Sequence, residues 1–347
     1  MRTAGKLIRG TGAAIAVSLG CAFAASGGAA WAREHTVAGA RHTLAAQAPA
    51  PPVIGVVTSG KALVKEGSLI APWTNEHTGV AQLAVASDGT NGALVAVRLK
   101  TSGQVLAKQG NLNAGWTNEL ASGASQIVVA SDGTNGALIA VLTTAGVVMV
   151  KEGSLDAPWT TEYTGASQIA VASDVTNGPL IAVLTTAGAL LVKQTSLNGP
   201  WTTVYSSGVS KFAVASDGPH GPLIAVLTSG KVLAKQGSLI APWTNEYTGV
   251  SKLAVATDGT NGPLIAVLTT STKGSQVLAK EGSLTSGWTS EYTGAAAVSV
   301  GSDDTNGPLI AVLTTSTNGS QALAKEGSLN GPWTNQLSSV SQIAAAG

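Results

Sequence analysis

Cysteine is almost missing from this chain. Cys21 is the single example, and it sits in an N-terminal stretch that reads as a removable leader, so the remainder has no disulfide and no thiol chemistry to draw on. Histidine is nearly as scarce. Beyond residue 52 only His77 and His220 remain, at non-equivalent places in the pattern described below, which leaves no source for a histidine-built metal cluster or a nucleophile triad. Arg98 is the one arginine in that region. Net charge is small too: 19 basic and 18 acidic residues give +1, and losing Arg2, Lys6 and Arg9 with the leader leaves −2, so no basic surface for nucleic acid is expected. Past the leader there is no long apolar run, and membrane insertion of the mature chain is not expected.

What the chain has instead is repetition. A unit exemplified by Ser238 to Thr270, SLIAPWTNEYTGVSKLAVATDGTNGPLIAVLTT, recurs from residue 53 onward. Its tryptophan marks the period, standing at Trp73, Trp116, Trp159, Trp201, Trp243, Trp288 and Trp333, 42 to 45 residues apart. Each unit carries two apolar runs of strand length, such as Leu253 to Thr257 and Leu264 to Thr269, joined by a segment with Asn-Gly, whose tolerance of positive φ suits a tight hairpin. A third run, Gln276 to Lys280, and the Trp-Thr-x-Glu-Tyr segment supply two more strands. Proline beside the tryptophan or after Asn-Gly would break a helix.

Four short strands per 42 to 45 residues is the period of a propeller blade. The LIAVL runs are apolar on successive residues, as befits a strand covered on both faces by neighbouring blades. The ends of the array predict its closure. The chain enters in mid-unit at Val53 to Thr58, the counterpart of Leu264 to Thr269, and leaves at Gln342 to Ala346, the counterpart of Lys252 to Ala256. The expectation is an all-β fold: a seven-bladed β-propeller of four-stranded antiparallel blades, closed by pairing of the C-terminal strand with the N-terminal blade segment, with the Ala-rich strands innermost.

Ahead of the array, residues 1–32 run from Arg2, Lys6 and Arg9 through an uncharged stretch to Ala30-Trp31-Ala32, the order of a Sec-type signal peptide, so secretion with a mature start near Arg33 is expected. Cys21 after Ser18-Leu19-Gly20 matches a lipoprotein box only loosely. Residues 33–52 are rich in Ala and Pro and read as a linker, and the propeller occupies 53–347. His35 and His42 lie in the linker, as solvated side chains rather than metal ligands.

Two sets of carboxylates recur: Glu76, Glu119, Glu162, Glu246 and Glu291 three residues after the tryptophan, and Glu66, Glu152, Glu281 and Glu326 after a lysine. Catalysis needs one asymmetric constellation, whereas a ring of near-identical units offers several equal ones, so no catalytic residue and no enzyme activity is expected. The lone Arg98 also rules out the arginine cluster of sialidases. The Ser-Asp-Gly-Thr-Asn-Gly loops lack the alternating spacing of a calcium loop and read as hairpins; no metal and no cofactor is expected.

The tryptophan segment is the remaining candidate. An aromatic face with a nearby carboxylate and amide matches a sugar, whose C–H face stacks while its hydroxyls take hydrogen bonds. The candidate ligand-binding residues are Trp73, Trp116, Trp159 with Glu162 and Tyr163, Trp243 with Asn245, Glu246 and Tyr247, and Trp288 with Glu291 and Tyr292. One large aromatic per blade at a fixed register is also what packing between blades would select.

The recurring LxVKEGSLxAPWTNEYTGVxQIAVASD pattern over residues 53–347 resembles secreted bacterial propeller repeats related to the tachylectin and tectonin lectins. The Gly-His and Trp-Asp marks of WD repeats and the Gly-Gly pair of kelch repeats are missing. The resemblance implies a multivalent carbohydrate-binding module with shallow repeated sites, its partners glycans on cell surfaces or polysaccharides. The alternative is a structural or protein-interaction propeller with no small-molecule ligand.

Overall fold

A computed structural model of the chain describes residues 51–346, apart from 89, 133, 175, 218, 259, 271–274, 304–305 and 316–319. The expected signal peptide and most of the linker, with Cys21, His35 and His42, lie outside the described residues. Pro52 is already part of the ring: it is buried and its carbonyl accepts from Gly67 N at 2.9 Å, as Pro222 accepts from Gly237 and Pro263 from Gly282.

Seven four-stranded antiparallel sheets follow one another in chain order. We number the blades from the N-terminus. Blade 1 is Val53–Thr58, Lys61–Glu66 and Thr74–Thr78 completed by the final strand Val340–Ala346. Blades 2 to 7 begin at Val80, Ala124, Ala166, Val209, Val250 and Ala295. In each of these the first strand ends at an Asp and turns through the Asn-Gly-type hairpin into the second, for example Asp174 opposite Gly178. Glycine is required there. Gly136 has φ +76°, and a Cβ on it would lie 2.3 Å from the Gly153 carbonyl.

Val53 pairs with Ala346, Val56 with Ile343 and Val57 with Gln342, so the last strand joins the first blade and closes the ring as the sequence led one to expect. The seven first strands, those running into LAVASD-like ends, pack on one another around the axis, including the closing strand against both its neighbours. Small side chains suit that crowding: Ala84, Ala213, Ala254 and Ala344 are all buried. Between blades the second strands are apolar on both faces, and Leu180 to Val183 are fully buried. A two-sided strand of this kind loses the polar alternation of a half-exposed sheet.

Candidate binding site between the blades

The seams are organised by a residue with little prior claim to a core, the lysine of the Lys-Glu-Gly or Lys-Gln-Gly segment. Lys65, Lys108, Lys151, Lys193, Lys235, Lys280 and Lys325 are each at most 4 % exposed. An ammonium has three donors and is buried only where they are engaged. In every repeat one donor goes to the carbonyl of the leucine four residues on, as in Lys193 Nζ to Leu197 O at 2.6 Å, which folds the Gly-Ser-Leu loop back over the strand. The tryptophan eight residues on then lays its ring on the same ammonium, with Nζ to centroid distances of 4.7 to 5.2 Å. This is a cation–π contact in a dry place, where it is strongest.

The third partner comes from the preceding blade. Lys108 pairs with Glu76, Lys151 with Glu119, Lys193 with Glu162, Lys280 with Glu246 and Lys325 with Glu291, each carboxylate side chain at most 2 % exposed. Burial pushes the carboxyl pKa of Glu76, Glu119, Glu246 and Glu291 up, against the pull of the facing lysine. The main chain of the same glutamate is used as well: Trp159 Nε1 donates to Glu119 O at 2.9 Å, and Trp201, Trp288 and Trp333 donate to Glu162, Glu246 and Glu291. Next along the strand, the tyrosine meets that same tryptophan edge-on. Tyr163 packs on Trp201 at 5.5 Å, Tyr205 on Trp243 at 5.6 Å, Tyr247 on Trp288 at 5.3 Å and Tyr292 on Trp333 at 5.6 Å, with His77 doing likewise on Trp116.

The contiguous Trp-Thr-x-Glu-Tyr segment is therefore divided over two seams. Glu162 and Tyr163 do not face Trp159, their neighbour in sequence; they face Trp201 of the next blade. Trp73, Trp116, Trp159, Trp243 and Trp288 are all half-buried with the indole against their own lysine, Tyr163, Tyr247 and Tyr292 are half-buried, and Asn245 is exposed on the outer strand. The lysine was the residue that sequence reasoning passed over, although it is present in all seven repeats and the glutamate is not.

Two seams lack the glutamate, and a third, with Leu120 beside Trp159, lacks the tyrosine. Val204 stands where the glutamate should be, so Lys235 in blade 5 has only the Leu239 carbonyl and the Trp243 ring as partners among the described contacts, and burial lowers its pKa. Gln336 stands there in blade 7 and its amide oxygen accepts from Lys65, whose pKa burial also lowers. Blade 4, which supplies Val204, also carries Thr195 where other repeats have glycine, at φ +78°.

The hairpin loops serve a different purpose. Asp174 Oδ1 accepts from Thr176 N and Asn177 N, and its Oδ2 accepts from Ser216 Oγ of the next blade at 2.5 Å. Asp217 repeats this with His220 N and Thr257 Oγ1. These aspartates shape a turn and link blades. Among the described residues no group of three or more His, Cys, Asp or Glu is gathered as a metal site would need.

No protein-family model matches the chain, and no curated protein sequence matches it. Solved structures do. The BP39L lectin from Burkholderia pseudomallei superposes with a TM-score of 0.58 at 15 % identity, over 83 % of this chain and 94 % of the lectin. The likeness is one of fold. BBS1N in complex with ARL6DN gives a TM-score of 0.54 at 13 % identity over 78 % of this chain and 86 % of that one, and puromycin hydrolase 0.52 at 10 %, over 85 % and 55 %. Three proteins with such different names on one architecture illustrate that a propeller does not fix a function.

Proposed function

We propose that the protein is a secreted, multivalent carbohydrate-binding propeller whose shallow sites lie along the blade seams. The observation that carries this reading is the recurring pair of half-buried aromatics, a tryptophan from one blade and a tyrosine from the blade before it, held at a fixed angle by the lysine beneath. A sugar's C–H face stacks on such an edge-and-face pair, and hydroxyl contacts fall to tyrosine hydroxyls and outer-strand amides such as Asn245, since the glutamate carboxylates are engaged by lysine. The fold likeness to the BP39L lectin supports the reading, as do several near-equal sites on one ring, which gain avidity on a surface crowded with one glycan. Export by the leader, with a mature start near Arg33, is part of the proposal; an intact Met1 or a lipid on Cys21 in secreted material would contradict it.

A purely structural or protein-interaction propeller is the second reading, favoured by the fact that the indole N–H groups already have acceptors inside the protein. A glycan array followed by calorimetry separates the two. The intact protein is expected to titrate fewer than seven sites, because seams with Val204, Gln336 or Leu337 lack parts of the pattern. Trp288→Ala, in the seam that Glu246, Tyr247 and Lys280 complete, should remove about one of them. Unchanged stoichiometry together with a collapsed melting temperature would leave only the structural reading.

A further inference from the structure

Antiparallel order fixes the height of every residue above the plane of the ring. First and third strands run from one rim to the other, and second and fourth strands run back. The rim where first strands begin also holds the ends of second strands and the starts of third strands. Across the described residues, the segments that meet there, from Thr58 to Lys61, Thr78 to Gln82 and so on round to Leu337 to Gln342, contain no Asp and no Glu. They do contain Lys61, Arg98, Lys100, Lys211, Lys231 and Lys252. The opposite rim holds the aspartates that end the first strands and Glu66, Glu152, Glu281 and Glu326 that end the third.

Two of the cations stand at one structural position. In blades 2 and 3 the third residue of the first strand is glutamine, and its amide bridges to the next blade: Gln82 Nε2 donates to Ile127 O at 2.9 Å while Oε1 accepts from Ile127 N, and Gln126 does the same with Ile169. Gln342 bridges to Leu83 in this way across the closure. In blades 5 and 6 lysine replaces glutamine. Lys211 Nζ donates to Ser251 O at 3.1 Å and Lys252 Nζ to Ala296 O at 2.7 Å. The two lysines thus occupy one position on adjacent blades, each reaching to the next, and burial together with the Lys211 charge lowers the pKa of Lys252. Blade 7 has the small Ala297 at this position. Beside Lys252 an open cavity of about 550 Å³ is lined by Ser251, Thr269, Thr270, Ser275, Ala296 and Thr315, with no aromatic ring.

We propose that this rim is an anion-binding surface, and that the cavity beside Lys252 and Lys211 receives a saccharide carrying carboxylate or sulfate groups. Two cations on adjacent blades, with no carboxylate among the described residues of their rim, leave a local positive field that an anion neutralises. The volume is that of an ordinary small-ligand site. Hydroxyl and main-chain lining suits sugar hydroxyls, whereas a single-stranded nucleic acid would call for aromatic platforms. The inference does not rest on the seam sites, which lie elsewhere and read neutral sugar faces.

The test is calorimetric titration of the intact protein with a sulfated oligosaccharide, an oligogalacturonate and a neutral oligosaccharide of equal length, at low and moderate salt. Both anionic oligomers are expected to bind more tightly than the neutral one and to weaken with salt. Lys211→Gln/Lys252→Gln installs the residue that the ring already uses at this position in other blades; it should keep the melting temperature and lose at least tenfold in affinity for the anionic oligomers, with any neutral-sugar binding unchanged. Lys252→Gln alone should lose part of that. Anionic oligomers no tighter than the neutral one, or a folded double variant that binds them as before, would overturn the site. A single-stranded DNA of the same charge binding as tightly would overturn its assignment to a saccharide.

Discussion

The seams between blades 3 and 4 and between blades 4 and 5 differ by one carboxylate, and the adjacent seam between blades 2 and 3 repeats the lysine–glutamate pair with Leu120 in the tyrosine's place, so the same lysine substitution should have different consequences in different seams. Lys151→Met removes the ammonium that faces Glu119, leaving a carboxylate that is 6 % exposed without its counter-charge. Breaking a buried pair from one side costs about 3 to 5 kcal/mol. Lys235→Met removes an ammonium 2 % exposed in the seam where Val204 takes the glutamate's place, so no charge is stranded. What is lost there is one hydrogen bond, about 1 kcal/mol, and a cation–π contact of about 1 to 2 kcal/mol. What is gained is relief from holding an uncompensated charge out of water and a methionine stem that packs on Trp243, which offset most of that loss. The expected result is a drop on the order of 6 to 10 °C in melting temperature for Lys151→Met, at about 2 °C per kcal/mol for a chain of this size, and a change of no more than about 2 °C for Lys235→Met. Scanning calorimetry or circular dichroism at neutral pH reads both. Equal losses at the two positions would show that the carboxylate is not what the lysine is buried for.

Three further outcomes follow from the same geometry. Because Glu76, Glu119, Glu246 and Glu291 have raised pKa values, the folded chain binds more protons than the unfolded one above 4.5; their contribution is greatest below that pH and is lost as pH rises through the raised values, so the urea midpoint should fall across that window and Glu119→Gln should flatten it. A midpoint that climbs there would refute the sign. Thr195→Gly should raise stability by about 1 kcal/mol, since a β-branched residue at φ +78° is strained where glycine is not; a loss on thermal melting would refute this. Truncation before Ser341 strips the strand that pairs with Val53 to Thr58, and Ile343 alone is worth about 2 to 3 kcal/mol of burial, so a truncated protein melting with the intact one would disprove closure by that strand.

The ring was readable because its signals are local and repeated: Asn-Gly at each hairpin, proline at strand starts, and a first segment that begins in mid-unit where the last one stops. The seams were not, because they join residues some 30 to 45 positions apart. Lys193 and Glu162 lie in different repeats, and nothing in the run Trp159 to Tyr163 says that its two ends face different blades. Lysine is also the residue least expected inside a protein, so its presence in every repeat was outweighed by the aromatic beside it. The charge separation was hidden for another reason: a net charge sums over both rims, and over residues 53–347 the 14 basic and 17 acidic residues nearly cancel.

Those two rims have different origins in the repeat. The acidic one is a multiplication, since an Asp at the end of the first strand belongs to the common unit and is written again in each of blades 2 to 7. The basic one is a sum of individual departures, Arg98 in one blade, Lys211 and Lys252 in two others. A change to the shared unit therefore alters one rim everywhere at once, whereas the other rim can be retuned a blade at a time, which makes it the side on which a duplicated ring acquires a direction.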